Sequence, residues 1–275
     1  MGNLNKTSLK TQLSTVRAFV KFLETIDAVP TDLHRDVILP SLKHGEDVRD
    51  VAVSEEESEA IQDYLTKFEY ATFRHALFAL LWETAIRTGT AHSLDVGDVL
   101  FEERALRIRH RPDTGTRLKN GVRAERLVAL SEELCTVLED YIRFNRPNTT
   151  DEYGRNPLFA SQHGRMHKSN LRNAIYALTR PCHYSGECPH DREQTAQDCE
   201  AIAYEKAAKC PSSVSLHAIR RGGITWRLLE DVPKTVISDR ADVSPDILDK
   251  HYDVRSEKSR MEQRRSILGL GGGDD

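Results

Sequence analysis

The sequence predicts a mostly α-helical chain with one small β element, divided into a small N-terminal helical unit and a larger domain. Three observations carry this. Apolar residues recur at helical spacing through most of the 275 residues. Only one region, Ala105–Leu130, alternates in the way of strands. A charged, turn-like stretch at residues 44–53 separates the first helices from a well-marked helix start at Ser54.

In order along the chain, Leu9, Leu13, Val16, Val20 and Leu23 lay an apolar stripe on a helix over Thr7–Ile26. Phe19, Phe22 and Ile26 widen it. Pro30 ends that helix, and Thr31–Leu42 has room for one more short helix, stopped near Pro40. Ser54 and Glu57 form a capping box. Helices follow at about 55–69 and 71–88. Ala105–His110 and Glu125–Leu130 read as a β-hairpin with a long tip, because Pro112-Asp113-Thr114-Gly115 and Lys119-Asn120-Gly121 between them are turn chemistry. Helix returns at Ser131–Phe144, Lys168–Thr179, about Ala218–Leu229 and Asp246–Asp253. The expected organisation is a helical unit over 1–43, a linker over 44–53 and the main domain over 54–270. The glycine-rich tail 271–275 reads as disordered.

A hydrophobic fraction of 39% allows a real core. No apolar run reaches the roughly eighteen residues of a membrane helix, and Met1–Thr11 lacks the apolar centre of a secretory signal. The expectation is a cytoplasmic protein. The net charge of -4 does not announce a nucleic-acid binder. Locally, however, Arg104, Arg107, Arg109, Arg111, Arg117, Lys119, Arg123 and Arg126 crowd one stretch. Arg255, Lys258, Arg260, Arg264 and Arg265 crowd another. Such local basic surfaces can hold a phosphate backbone, or simply be solvated faces.

Three short patterns carry chemistry. Thr84-Ala85-Ile86-Arg87 ends an apolar helix in an arginine near Gly89. Lys119-Asn120-Gly121 precedes Glu125-Arg126-Leu127-Val128-Ala129-Leu130. His217-Ala218-Ile219-Arg220 is followed by Tyr252, the only tyrosine after His217. Singly, each has a bland account. Arg87 could be a helix-end cation, His217 and Arg220 could share a helix face, and Tyr252 could be packing. Together they suit a phosphodiester. Planar guanidinium forks bind nonbridging oxygens bidentately and stabilise added charge. A tyrosine oxygen can form a covalent intermediate, and a lysine and a histidine can move protons.

In this order the motifs resemble the tyrosine recombinases of the phage-integrase or Xer type, in an archaeal-like variant, over about residues 54–265. The resemblance implies the catalytic-domain fold of that family behind a small helical core-binding-like domain. It implies that Arg87 is the first arginine, His217 and Arg220 the His-x-x-Arg block, and Tyr252 the nucleophile. Lys119 would be the hairpin lysine, with Arg123 able to occupy the same space. The activity implied is site-specific cutting and rejoining of double-stranded DNA through a 3′-phosphotyrosine, by a tetramer assembled on DNA. Catalysis would need no ATP, metal or other cofactor. Two departures stand out. Where the family carries a His or Trp in a Leu-Gly-His-Ser-like turn, this chain reads Arg240-Ala241-Asp242-Val243-Ser244, with Asp242 or Val243 at the site. The acidic residue usual three positions after the first arginine is Thr90. His251 adjoins Tyr252, but helical neighbours diverge by about 100°. The N-terminal unit is also short for the family. A catalytically silent DNA-binding protein and a topoisomerase-like relaxase are the alternatives.

Of the five cysteines, Cys135 falls in a helical pattern and reads as a buried thiol. Cys182, Cys188, Cys199 and Cys210, with His183 and His190 among them, lie in an insertion over 181–211 just before His217. Four soft ligands suit a closed, structural zinc site. No CxxC pair is present, so reduced, partly buried thiols are the alternative.

Overall fold

The computed structural model describes residues 4–42, 51–195, 197–253 and 255–268, with only the backbone of Ser259. The chain divides into two compact units, residues 1–50 and 51–275. In the first, α1 (Lys6–Thr25) is N-capped by Asn5, whose side chain accepts the Ser8 N–H at 2.8 Å. Its apolar stripe lies where the periodicity put it, yet none of its residues is buried. The second expected helix is a single 3-10 turn, Leu33–Asp36. Glu24 fastens that turn to α1 by accepting the His34 N–H at 2.7 Å and meeting His34 Nδ1 at 2.9 Å. Most of the expected linker and all of the tail lie outside the described residues.

The second unit runs α2 (Glu55–Phe68), α3 (Phe73–Thr84), α4 (Thr88–Ser93) and a three-stranded antiparallel sheet of β1 (Val99–Leu100), β2 (Ala105–Ile108) and β3 (Arg126–Ala129). Next come α5 (Glu132–Asp140), continued by a π turn over Tyr141–Asn145, and a small hairpin of β4 (Ala160–Ser161) and β5 (Gly164–Arg165). The helices α6 (Lys168–Leu178), α7 (Pro181–Tyr184), α8 (Leu216–Leu229), α9 (Lys234–Ala241), α10 (Pro245–His251) and α11 (Glu257–Ile267) complete it. The mostly α fold with a small sheet is therefore what the patterning predicted. Both bonds of the Ser54–Glu57 capping box are present, at 3.0 and 3.1 Å. β2 and β3 pair from Ala105 opposite Ala129 to Ile108 opposite Arg126, which makes the expected hairpin, and β1 adds an edge.

Helix α3 is the hub. It is apolar nearly all round and buries Leu77, Phe78, Leu80, Leu81 and Trp82, so it needs neighbours on every side. It has α2, α5, α6 and α8. Contact with α8 is close because Gly222 and Gly223 face it. A Cβ at 222 would fall on the Val53 carbonyl and 2.7 Å from the Trp82 ring; one at 223 would lie 2.5 Å from the Trp82 carbonyl. Val53, expected at the end of the linker, is instead core, and its N–H donates to the Ala218 carbonyl at 3.2 Å.

The helix expected over 71–88 stops at Thr84. Ala85 takes the left-handed conformation (φ 50°), and Arg87 becomes the cap residue before α4 rather than the end of α3. The long hairpin tip, residues 109–125, is held at its base by ion pairs. Arg111 meets Asp98 at 2.6 Å, and Arg155 bridges Asp151, the Thr114 carbonyl and Thr116 Oγ1, each at 2.9 Å. These charges are largely buried, and each has several partners, the condition under which such pairs hold.

Candidate functional site

Helix C-termini leave carbonyls without partners. In this fold two such ends, those of α3 and α9, meet beside the start of α8, and arginines supply the donors. At the end of α3, Arg227 donates to the Trp82 carbonyl (3.2 Å) and the Glu83 carbonyl, Arg240 to the Glu83 carbonyl (3.0 Å), and Arg220 to the Ala85 carbonyl. At the end of α9, the carbonyls of Arg240, Ala241 and Asp242 are taken in turn by Arg126 (3.0 Å), Arg220 (2.8 Å) and Arg87. Arg87 and Arg220 are thus brought to one place from opposite ends of the unit's sequence.

Arg220 is 3% exposed and Tyr252 is 6% exposed. Burial lowers the Arg220 pKa, and Tyr252 opposes this as both a polar neighbour and a side-chain hydrogen-bond partner. Arg221 lies over the tyrosine ring, 6.0 Å from its centroid. Tyr252 follows the last residue of α10. Its N–H donates to the Leu248 carbonyl, and it packs in a cluster with Ala85, Ile224, Leu228, Val243 and Leu248. His217 is in the first turn of α8 and stays exposed. Enough protein nonetheless surrounds its ring that desolvation is the largest cause of its lowered pKa, followed by Arg220, Arg221, Arg87 and His251. His251 is near enough to act on His217.

Arg87 stands at the edge of an open cavity of about 760 Å³, with Lys119, Asn120, Arg123, Arg126 and Asp242 also on its walls. Lys119 and Arg123 both reach this cavity from the hairpin tip and both are exposed. Both candidates in the altered turn line the cavity, but Val243 is largely buried in the core cluster while Asp242 presents a carboxylate to it. Asp242 is left-handed (φ 52°), a conformation that Asp tolerates better than most residues. Its carboxylate accepts from Arg87 Nη1, and from Asn120 Nδ2 at 2.9 and 3.1 Å. Sequence patterns did not single out Asn120, Arg126 or Arg240.

Other expectations are corrected. Arg255 is not part of a basic surface: its side chain is 2% exposed and pairs with Asp253 at 2.9 Å and Asp231 at 3.4 Å. In the hairpin stretch, Arg111 is committed to Asp98, and Arg126 to main-chain carbonyls. All five cysteines are free thiols, and Cys199 and Cys210 share a small buried cluster with Ala201. Burial raises the Cys182 pKa; Arg180 opposes this, and Cys188, Cys210 and Cys199 each add to it. Among the described residues, no three His, Cys, Asp or Glu side chains group in a way that could hold a metal ion.

Residues 51–222 match the model of the phage integrase family. This chain belongs to the phage integrase family. The match takes in Arg87, Lys119, His217 and Arg220 and ends before Tyr252. A curated relative, the putative integrase/recombinase y4rB of Sinorhizobium fredii (strain NBRC 101917 / NGR234), is 33% identical over 107 residues. That alignment spans 38% of this chain and 31% of the relative, so it compares only parts of the two proteins. The fold is also that of solved recombinases. The Tn1549 transposon integrase in complex with a circular intermediate DNA has a TM-score of 0.63 at 14% identity, over 96% of this chain and 80% of that one. XerA recombinase has a TM-score of 0.53 at 17% identity, over 99% and 78%. XerH bound to its difH substrate has a TM-score of 0.55 at 15% identity, over 97% and 71%. No helix among the described residues is long and apolar enough to cross a membrane.

Proposed function

We propose that this integrase is a site-specific recombinase that cuts and rejoins double-stranded DNA through a 3′-phosphotyrosine. The observation that carries this is the packing of Arg220 against Tyr252, with Arg87 tied to the same turn. The phosphate would sit between the two guanidinium groups, whose donors also offset the charge that develops in the transition state. Tyr252 Oη attacks phosphorus, a P–O bond to tyrosine forms and the P–O5′ bond breaks. The phenolic proton passes to a base, for which His217 with its lowered pKa is suited, since it is neutral at pH 7. The departing 5′ oxygen takes a proton from Lys119, with Arg123 as the alternative donor. Attack by a 5′ hydroxyl of another strand reverses these steps, so no ATP or metal is consumed. The smaller unit would grip the other side of the duplex, and the working form would be a cytoplasmic tetramer on DNA.

The test is incubation with a duplex nicked beside the cleavage site, so that the short 5′ fragment diffuses away and the covalent adduct accumulates. A protein–DNA adduct is expected for the wild type and none for Tyr252→Phe. The Phe protein should still bind DNA, because only the attacking oxygen is lost. Adduct at the wild-type level in Tyr252→Phe would remove Tyr252 from the mechanism. A second reading, a silent DNA-binding protein, draws on Val243, which offers no proton donor where the family has one. It predicts binding without adduct in the wild type.

For the insertion we propose structural zinc held by Cys182, Cys188, Cys199 and Cys210. The support is the donor chemistry of four free thiols, of which Cys188, Cys199 and Cys210 lie near enough to Cys182 to raise its pKa, and not a formed cage. Protein purified without chelator should carry about one zinc per chain. Metal-free protein of equal thermal stability would leave four ordinary thiols.

A further inference from the structure

We infer that Asp242 is a positioning residue, whose carboxylate sets the orientation of Arg87 toward the scissile phosphate and joins it to the loop that carries Lys119. This rests on the recombinase reading above.

An arginine on the wall of an open cavity has many rotamers, and a bidentate phosphate contact needs one of them. Neighbours on α4 do not fix Arg87. Thr90, in the position where the family resemblance leads one to expect an acid, is buried; its N–H donates to the Arg87 carbonyl at 2.9 Å, and its own carbonyl accepts from Ser93 Oγ at 2.7 Å. It offers no carboxylate. Asp242 offers two acceptors to the guanidinium: Oδ2 to Nη1, and the main-chain oxygen to Nη2. Both terminal nitrogens are held by Asp242, and among the described residues no hydrogen bond is made at Nε, so that edge of the fork has donors left for phosphate oxygens.

The same carboxylate accepts from Asn120 Nδ2 at 2.9 and 3.1 Å. Asn120 adjoins Lys119, so the proposed phosphate ligand and the proposed proton donor share one anchor. The anchor is itself fixed. Asp242 closes α9 with N–H bonds to the Ser238 and Asp239 carbonyls, and the two carbonyls before its own are held by Arg126 and Arg220. Of these three consecutive residues, only Asp242 lines the cavity.

Electrostatics alone predicts the opposite outcome, which makes the proposal testable. A carboxylate near a phosphate repels it, so removing the charge should tighten DNA binding and speed cleavage. Positioning predicts that Asp242→Asn binds DNA as well as the wild type or better, yet forms adduct about 10- to 100-fold more slowly at saturating nicked duplex. Asp242→Glu, which keeps the carboxylate, should recover part of that loss. Adduct formation by Asp242→Asn at or above the wild-type rate would overturn the proposal. A second readout does not depend on cleavage. Nitrogen-15 spectra of the guanidinium groups, with Arg87 assigned by its loss in Arg87→Lys, should show slowly rotating Arg87 Nη protons in the wild type and averaged ones in Asp242→Asn. If the wild type forms no adduct, the recombinase reading fails, and these spectra still decide whether Asp242 holds Arg87. Unchanged Arg87 signals in Asp242→Asn would overturn it.

Discussion

The two arginines proposed to hold the phosphate are built in contrasting ways. Arg220 is almost wholly buried, donates to the main-chain carbonyls of Ala85 and Ala241, and has Tyr252 packed beside it. Arg87 keeps 25% of its side chain exposed at a cavity, and its carboxylate partner Asp242 is shared with Asn120. The buried half is made by the same contacts that fold the second unit. The open half depends on side chains that can rearrange when a ligand arrives. One residue type thus serves as both scaffold and adjustable contact, and the two services should separate under mutation.

The largest effect should come from the arginines. Arg220→Ala and Arg87→Ala should each slow adduct formation on nicked duplex by about 100- to 1000-fold, the usual cost of a transition-state donor. Their stabilities should diverge. Arg220→Ala strands two buried carbonyls and should cost about 2 kcal/mol or more, whereas Arg87→Ala removes a partly solvated pair worth about 1 kcal/mol or less. Urea denaturation checks this, and equal losses would break the contrast between the halves.

Within the open half, Lys119→Ala should slow cleavage by about 100-fold, as expected for a lost general acid. A substrate with sulfur in place of the leaving 5′ oxygen needs no proton at that atom. It should restore Lys119→Ala but not Arg87→Ala. If sulfur rescues Arg123→Ala and leaves Lys119→Ala slow, Arg123 is the donor.

The smallest effect concerns pH. Burial first, then the surrounding cations, lowers the His217 pKa, and burial pushes His92 down to about 4. A histidine whose folded pKa lies below its unfolded value destabilises the fold as acid protonates the unfolded chain. Stability is therefore full above about pH 6.5 and declines from there toward pH 4 as His92 resists protonation. The cleavage rate should also fall at some point below about pH 6.5, as His217 gains its proton. His217→Gln should flatten the rate profile and leave the larger part of the melting profile, which His92 carries. A rate profile that keeps its acid limb in His217→Gln would remove His217 as the proton acceptor.

Much of this was legible because it is local or ordered in sequence. The Ser54–Glu57 box, the alternation on either side of the hairpin tip, and the series Arg87, Lys119, His217, Arg220 and Tyr252 can all be read without coordinates. The break at Ala85 was not legible, because alanine is the strongest helix former and a left-handed alanine is imposed by tertiary contacts. Nor was α9, whose buried face consists of Ile237 and Ala241 alone. The bonds from Arg126 to the Arg240 carbonyl and from Arg87 to Asp242 join residues far apart in sequence and leave no periodic trace. The basic groups misled for a related reason. Composition counts Arg255 as surface charge, while the fold uses it as a buried partner of Asp253.

The pair Gly222 and Gly223 has a consequence for how finely the phosphate contacts are set. These residues do not line the cavity and bear no side-chain chemistry, yet they set how closely α8 approaches α3. Arg220 lies two residues before Gly222 on the same helix. One added methyl at 222 would have to push against the Val53 carbonyl and the Trp82 ring, and α8 would recoil as a rigid rod. Arg220 would travel with the rod, while the Ala85 carbonyl it grips stays with α3. Calibration of the reacting centre therefore resides in two missing side chains outside the cavity, acting as a spacer whose value is its thinness.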